Sequence, residues 1–423
     1  MLQETALNIL KNSKDNVFLT GAPGTGKSWL VDRYVEWLLE NGEEPVITAS
    51  TGIAALNING KTLHSWGGLR NDHPIDERDQ DEIIKGYSYE NYISTQTLII
   101  DEVSMVSAAL LENINILAKR IRGDHRFMGG IRVIVVGDFF QLPPVKGRFA
   151  FECEDWDEAD FTVCYLHENK RQSEPEFTDI LQNIRGGFLT EPQKEVIRSK
   201  IIKDASIVED PKIRLDTHNK KVDNINRMQL ERLPGFPQTY KMQEDGPYPD
   251  AIEKLKKNCL SPEKLILKVD TPVLFTRNDS ELRWVNGTQG VVRELGENHV
   301  VVELPRGELV EVNPVTWEAC KGYGSNKKIY GEIAQLPLKH AWAITVHKSQ
   351  GMTLDRVIID VTHAFAAGQG YVAISRVRTL EGLHFQGFLT KGFFMVSKKV
   401  VAKDKEFLKE GMSDDISPSN YSV

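Results

Sequence analysis

Asn16-Val-Phe-Leu-Thr-Gly21-Ala-Pro23-Gly24-Thr25-Gly26-Lys27-Ser28 decides the fold class. NVFLT (16–20) is a short apolar run of buried-strand type, and the eight residues after it fit G-x-x-x-x-G-K-S/T. Leu30, Val31, Tyr34, Val35 and Leu38 then recur at helical spacing until Gly42 stops the pattern. Strand, glycine loop and helix in that order make a phosphate cradle. The glycines let backbone N–H groups close around the β- and γ-phosphates, and the helix N-terminus favours their negative charge. Lys27 is placed to neutralise those oxygens, and the Ser28 hydroxyl to bind Mg²⁺. From average residue usage the bare pattern arises by accident in roughly one or two chains per hundred of this size. A strand before it and a helix after it leave ATP with Mg²⁺ as the stronger reading.

Working outward, PVIT (45–48), TLII (97–100) and IRVIVV (131–136) repeat the buried-strand pattern with helical stretches between them. This predicts an α/β domain with a parallel sheet covered on both faces. Two polar groups follow strands directly. Asp101-Glu102 stands where ligands of open α/β sheets bind. Asp101 suits Mg²⁺ held through water, and Glu102 suits orientation or deprotonation of the attacking water. Alone, the pair would read as a solvated turn; beside a P-loop in the same sheet it reads as catalytic. Gly137-Asp138-Phe-Phe-Gln141-Leu-Pro-Pro places Gln141 to sense the γ-phosphate, while Phe139 and Phe140 are assigned to the core.

The chain has 423 residues, 40% hydrophobic and 26% charged, enough for two or three domains with full cores. No apolar run of spanning length occurs, and the first residues have neither a signal nor a transit layout, so a cytoplasmic protein without a membrane partner is expected. Cys153, Cys164, Cys259 and Cys320 form no C-x-x-C pair, which argues against structural zinc and disulfides. The net charge of −8 hides an uneven distribution, because acidic residues crowd Asp72–Glu90 and Glu152–Asp160. A cationic groove elsewhere is compatible with that total. No internal repeat appears, and the tail Gly411–Val423 is expected to fray.

From about residue 165 the pattern restarts. KIRLDT (212–217) and RVIID (356–360) read as strands of a second sheet, and GVVREL, HVVVEL and ELVEV between Gly290 and Trp317 as a small antiparallel barrel inserted into it. Ala341-Trp-Ala-Ile-Thr345-Val-His347-Lys348-Ser349-Gln350-Gly351 and Tyr371-Val-Ala-Ile-Ser375-Arg376 put polar and cationic groups at strand ends. Arg376, and Arg171 in His-Glu-Asn-Lys-Arg171-Gln172, are candidates for arginine fingers reaching the γ-phosphate, an interaction worth about 10³–10⁵ in rate. A surface ion pair is the ordinary reading of any single arginine.

These stretches resemble a known family. GAPGTGKS, TASTGIAALNINGKTLHSW, LIIDEVSM, GGIRVIVVGDFFQLPPV, ENKRQ, FTRNDSELRWVNGTQG, AWAITVHKSQGMTLD and YVAISRVRTLEGL resemble, in order and over nearly the whole chain, the PIF-type helicases of superfamily 1B. RecD-like and Dda-like phage helicases are related to these. Leu110–Ile131 resembles the segment particular to the PIF branch. The resemblance implies two RecA-like domains, 1–165 and 166–287 with 336–423. A wedge subdomain would occupy about 64–95, and an SH3-like β insertion 288–335. It adds Gln3 as the adenine-reading glutamine and Gly351 to the nucleotide site. It places Thr51, Gly52, His64, Asn286, Thr345, His347 and Lys348 on DNA, where hydroxyls, amides and cations suit phosphates. Stacking on a base is a further reading of His64 and Trp66, with packing beneath the wedge the alternative for Trp66. No ligand-spaced partner makes His347 a metal ligand.

The implied activity is ATP-dependent DNA unwinding by a monomer that moves 5′-to-3′ on single strands and meets single–double-strand junctions. Forks, G-quadruplexes or RNA–DNA hybrids would be targets in replication, recombination or repair, and telomere maintenance belongs to the same family. The acidic Arg70–Tyr92 stretch departs from the family's text, so the strand-splitting residue does not carry over. The rival reading is a P-loop ATPase that remodels a protein partner without tracking a strand; Thr-Val-His-Lys-Ser-Gln-Gly has no purpose in such a protein. A DNA-binding module with a vestigial ATPase, or a RecD-like subunit of a nuclease complex, is disfavoured by the intact catalytic positions and by the lack of a nuclease cluster.

Overall fold

A computed structural model describes all residues except 59, 87, 146, 205–207, 209–211, 280, 282, 306, 322–327, 361–365, 388–390 and 414–423. The buried runs read from the sequence become a six-stranded parallel sheet. Its order is Lys61–Thr62, Val46–Ala49, Thr97–Asp101, Arg132–Gly137, Val17–Gly21, Thr162–Leu166. Because all six strands point one way, Gly21, Asp101 and Gly137 end at the same edge, which places the polar groups after each strand within reach of one another. The P-loop helix Lys27–Glu40 buries Leu30, Val31, Tyr34 and Leu38 against this sheet.

A second parallel sheet, Ala343–Thr345, Ile213–Asp216, Val357–Asp360, Leu383–Gln386 and Ile201–Ile202, joins KIRLDT to RVIID as expected. The antiparallel part is wider than 288–335. Five strands between Pro272 and His340 form one sheet, and Gln238–Lys241 with Lys264–Leu267 adds a two-stranded ribbon whose Tyr240, Leu265 and Leu267 share its core. Those earlier strands are short and two-faced, so their period is weak in the sequence.

Residues 63–95 fold as three helices, Leu63–Gly67, Glu77–Ile84 and Ser88–Ser94. Trp66 and Tyr92 are fully buried with ring centroids 4.7 Å apart, so Trp66 packs and does not face a strand. Phe139 and Phe140 are core residues as assigned. The last helix, Lys398–Ser413, belongs by sequence to the second domain yet lies on the first sheet. Phe407 stands 4.9 Å from Phe18, centroid to centroid, within a cluster containing Phe139 and Trp156. Residues 414–423 of the expected frayed tail lie outside the described ones.

Candidate active site and nucleic-acid interface

The P-loop folds tightly enough that glycine is required. Gly21 has φ +142°, and a Cβ there would lie 2.6 Å from the Leu166 carbonyl oxygen. The Lys27 ammonium donates to the carbonyls of Gly21 at 2.7 Å and Ala22 at 3.1 Å. Gln3 backs the same loop, its Nε2 donating to Thr25 O at 2.9 Å. Thr25 is buried and donates from its hydroxyl to Ala22 O at 2.9 Å.

A cleft of about 520 Å³ gathers what the sequence scattered. Pro23, Gly24, Gly26, Lys27 and Ser28 line it from the loop, Asp101, Glu102 and Gln141 from the neighbouring strand ends, Arg171 from the segment packed against Gly24, and Gly351 and Arg376 from the second half. All six residues chosen as catalytic therefore share one space. Burial sets its electrostatics. Desolvation lowers the Lys27 pKa to about 8, against the pull of Asp138, Glu102 and Asp101. Desolvation also raises Asp101 and Glu102; the charge of Glu102 raises Asp101 further, and Arg376 and Lys27 draw Glu102 back down. Arg171 falls to about 9, first through burial and then through the like charge of Arg376. Glu102 is held at φ +52°, a left-handed backbone that turns its side chain out of the strand line. The Glu102 Oε2 and Gln141 Oε1 atoms are buried acceptors without a protein hydrogen bond among the described residues, as groups awaiting a donor would be.

Sequence reasoning missed several residues here. Gln172 is buried and donates to the carbonyls of Ser375 at 3.2 Å and Val377 at 2.8 Å, tying the two halves together. Lys170 and Arg378 add positive charge to the cleft wall. All three lie inside stretches already singled out, ENKRQ and YVAISRVR, and that proximity was the available signal. Asp138 too lies in a stretch already quoted, beside Gln141, but Arg185 and Asp404 had no signal, since the ion pairs at 3.2 and 3.0 Å join three distant segments.

A larger cleft of about 960 Å³ adjoins this one, and Thr51, Asn286 and His347 line it together with Ser28, Asp101 and Glu102. Of the other predicted strand contacts, Gly52, His64 and Thr345 are engaged with protein, and Lys348 is bonded through its backbone. A Cβ on Gly52 would stand 2.1 Å from the Asn258 side chain. His64 is paired through Nε2 with Asp72, which also accepts the Ser107 hydroxyl at 2.7 Å. Thr345 is buried, and its hydroxyl oxygen accepts the Lys348 N–H at 3.4 Å. His347 is pushed below its ordinary pKa by burial, which favours the neutral imidazole.

Comparison with known proteins is decisive for the family. The family model described as PIF1-like helicase matches residues 2–195. A curated relative from Psychrobacter sp. (strain PRwf-1), "ATP-dependent DNA helicase Pif1", is 35% identical across 92% of this chain and 68% of its own length. The chain belongs to the PIF1-like helicase family. Among solved members, Bacteroides sp. Pif1 in complex with ADP-AlF4 superposes with a TM-score of 0.85 at 31% identity, covering 97% of each chain. Bacteroides Pif1 bound to ssDNA, with the same identity and coverage, gives 0.65. The arrangement of this PIF1-like chain is thus nearer to the first form. No described helix is long and apolar enough to cross a membrane.

Proposed function

We propose that this protein is an ATP-dependent DNA helicase that tracks along single-stranded DNA and opens duplexes at single–double-strand junctions. The observation that carries the reading is the meeting of Lys27, Asp101, Glu102, Gln141, Arg171 and Arg376 in one cleft that opens toward Thr51, Asn286 and His347. Backbone amides of the P-loop and Lys27 neutralise the β/γ-phosphates. Glu102, made more basic by burial, accepts the proton of the attacking water. Gln141, Arg171 and Arg376 stabilise charge on the γ-phosphoryl group from both sides. The Ser28 hydroxyl and the Asp101 carboxylate line the same wall, a hard-oxygen pair that fits Mg²⁺. Bound Mg²⁺ supplies charge neutralisation and orientation of the phosphates.

Arg376 from the second half reaches the site only when the halves are close, so ATP favours the closed form and loss of the γ-phosphate releases it. Alternation of grip between Thr51 and Gly52 on one side and Asn286, Thr345, His347 and Lys348 on the other then moves the strand. The polarity proposed is 5′-to-3′, with the protein acting as a monomer. The contacts address backbone phosphates, so structured DNA and RNA–DNA hybrids are within reach of the same groove.

The test is ATP turnover with and without a single-stranded oligonucleotide, with Lys27→Ala as the blank. Strong stimulation by single strands, weak stimulation by duplex and none in the variant is the expected result. Turnover indifferent to DNA would replace this reading with a protein-remodelling ATPase. Duplexes tailed at one end or the other then assign polarity.

A further inference from the structure

The short helix Gln369–Ser375 carries Arg376 at its C-terminal end and is fastened to the first sheet's loops at both ends. At its start, Gly368 has φ +78°, and a Cβ there would lie 2.4 Å from the carbonyl oxygens of both Phe140 and Gln141. The helix therefore abuts the loop that presents Gln141. One turn further, the Tyr371 hydroxyl donates to Asp138 Oδ2 at 3.2 Å. At the helix end, Ser375 O accepts from Arg171 at 3.1 Å and from Gln172 at 3.2 Å.

The acceptor is itself immobilised. Asp138 Oδ1 accepts the Phe140 N–H at 3.2 Å and pairs with Arg185 at 3.2 Å, and Arg185 is held at 3.0 Å by Asp404 of the C-terminal helix. The Arg185 guanidinium also lies 4.0 Å from the Phe140 ring centre. Tyr371 is 2% exposed and Asp138 0%, so their bond forms away from water, where a lost partner is costly and a fixed geometry is retained.

We propose that Tyr371 is a positioning residue for γ-phosphate chemistry. Its hydroxyl, bonded to Asp138, sets the register between the Gln141 loop and Arg376, which come from opposite sides of the cleft. The proposal rests on the reading of Arg376 as a γ-phosphate ligand given above. It does not place Tyr371 on the nucleotide: what the hydroxyl fixes is the helix that carries the arginine.

The experiment is a double-mutant cycle on the full chain with Tyr371→Phe, Arg376→Ala and the pair. Tyr371→Phe keeps the ring in its packing and removes one hydrogen bond. Expected for it are a cooperative melt, an ATP KM and strand affinity within about twofold of the parent, and a DNA-stimulated kcat lowered about tenfold. On the Arg376→Ala background, Tyr371→Phe should lower kcat no further, because the register has nothing left to position. A kcat within twofold of the parent overturns the proposal. So does a tenfold loss that recurs in full on the Arg376→Ala background, or the disappearance of the cooperative melt, which would make Tyr371 a folding residue. An Arg376→Ala protein with undiminished turnover would instead remove the underlying reading of the cleft.

Discussion

In the nucleotide cleft, groups from the P-loop, two neighbouring strand ends, the Arg171 segment and the second half already face one another in one space. In the strand groove the candidates divide: Thr51, Asn286 and His347 line the larger cleft, whereas Asn258 covers Gly52, Asp72 holds His64, and Thr345 is buried. The difference follows from what each region must do. Phosphoryl transfer needs dipoles and charges fixed before the reaction, in a dry site where each is worth most. A moving strand needs contacts that can be made and released, and side chains with protein partners to return to provide them.

The largest expected effect separates the two regions. Arg376→Ala should lower DNA-stimulated turnover by about 10³-fold, the low end for an arginine finger, and leave strand affinity within a few-fold. An equal collapse of strand affinity, read by fluorescence anisotropy, would show that cleft and groove are one structure. Next in size is Phe407→Ala. Removing that ring from between Phe18 and Trp156 should cost about 3–5 kcal/mol of stability by denaturant titration. A small change would mean that the C-terminal helix is not part of the platform beneath the cleft.

Lys27 sharpens the cleft side of the comparison. Its pKa is lowered to about 8, so the protonated form that binds triphosphate is lost as pH rises through that value. ATP affinity should therefore fall above pH 8, by up to about tenfold per unit, and Lys27→Arg should flatten the profile because its side chain does not deprotonate there. On the groove side, His64→Ala should weaken single-strand binding about threefold and reduce the salt slope by up to about 0.7, one phosphate contact's share. The smallest effect is expected from Asn258→Ala. Uncovering Gly52 should raise strand affinity about twofold without changing ATP turnover in the absence of DNA. A fall in affinity would show that Asn258 supports the groove.

Much of the cleft was legible because its parts are local. A strand, a glycine loop and a helix must be consecutive in the chain, so Gly21–Ser28 declares itself, and Asp101 and Gln141 follow apolar strands whose run is unmistakable. Arg171 and Arg376 were visible only as candidates, since any single arginine has a surface reading. Trp66 shows the limit from the other side: its spacing allows both stacking on a base and packing on Tyr92, and only the fold put it 4.7 Å from that ring. The ribbon 238–267 was lost for a similar reason, since strands of four residues with one exposed face carry almost no period.

What the sequence determined by itself is the chemistry of each segment: a phosphate loop, acidic and amide groups at strand ends, cationic strand ends in a second sheet, and a short-stranded antiparallel stretch between them. These depend on dihedral preferences and hydrophobic periods acting over fewer than about fifteen residues. What only the tertiary structure decided is which of those segments meet. The Asp138–Arg185–Asp404 chain, the bond from Tyr371 to Asp138 and the return of Phe407 to the first sheet all join residues by burial and charge between distant elements. No local spacing encodes such pairs, because their free energy comes from removing both partners from water together.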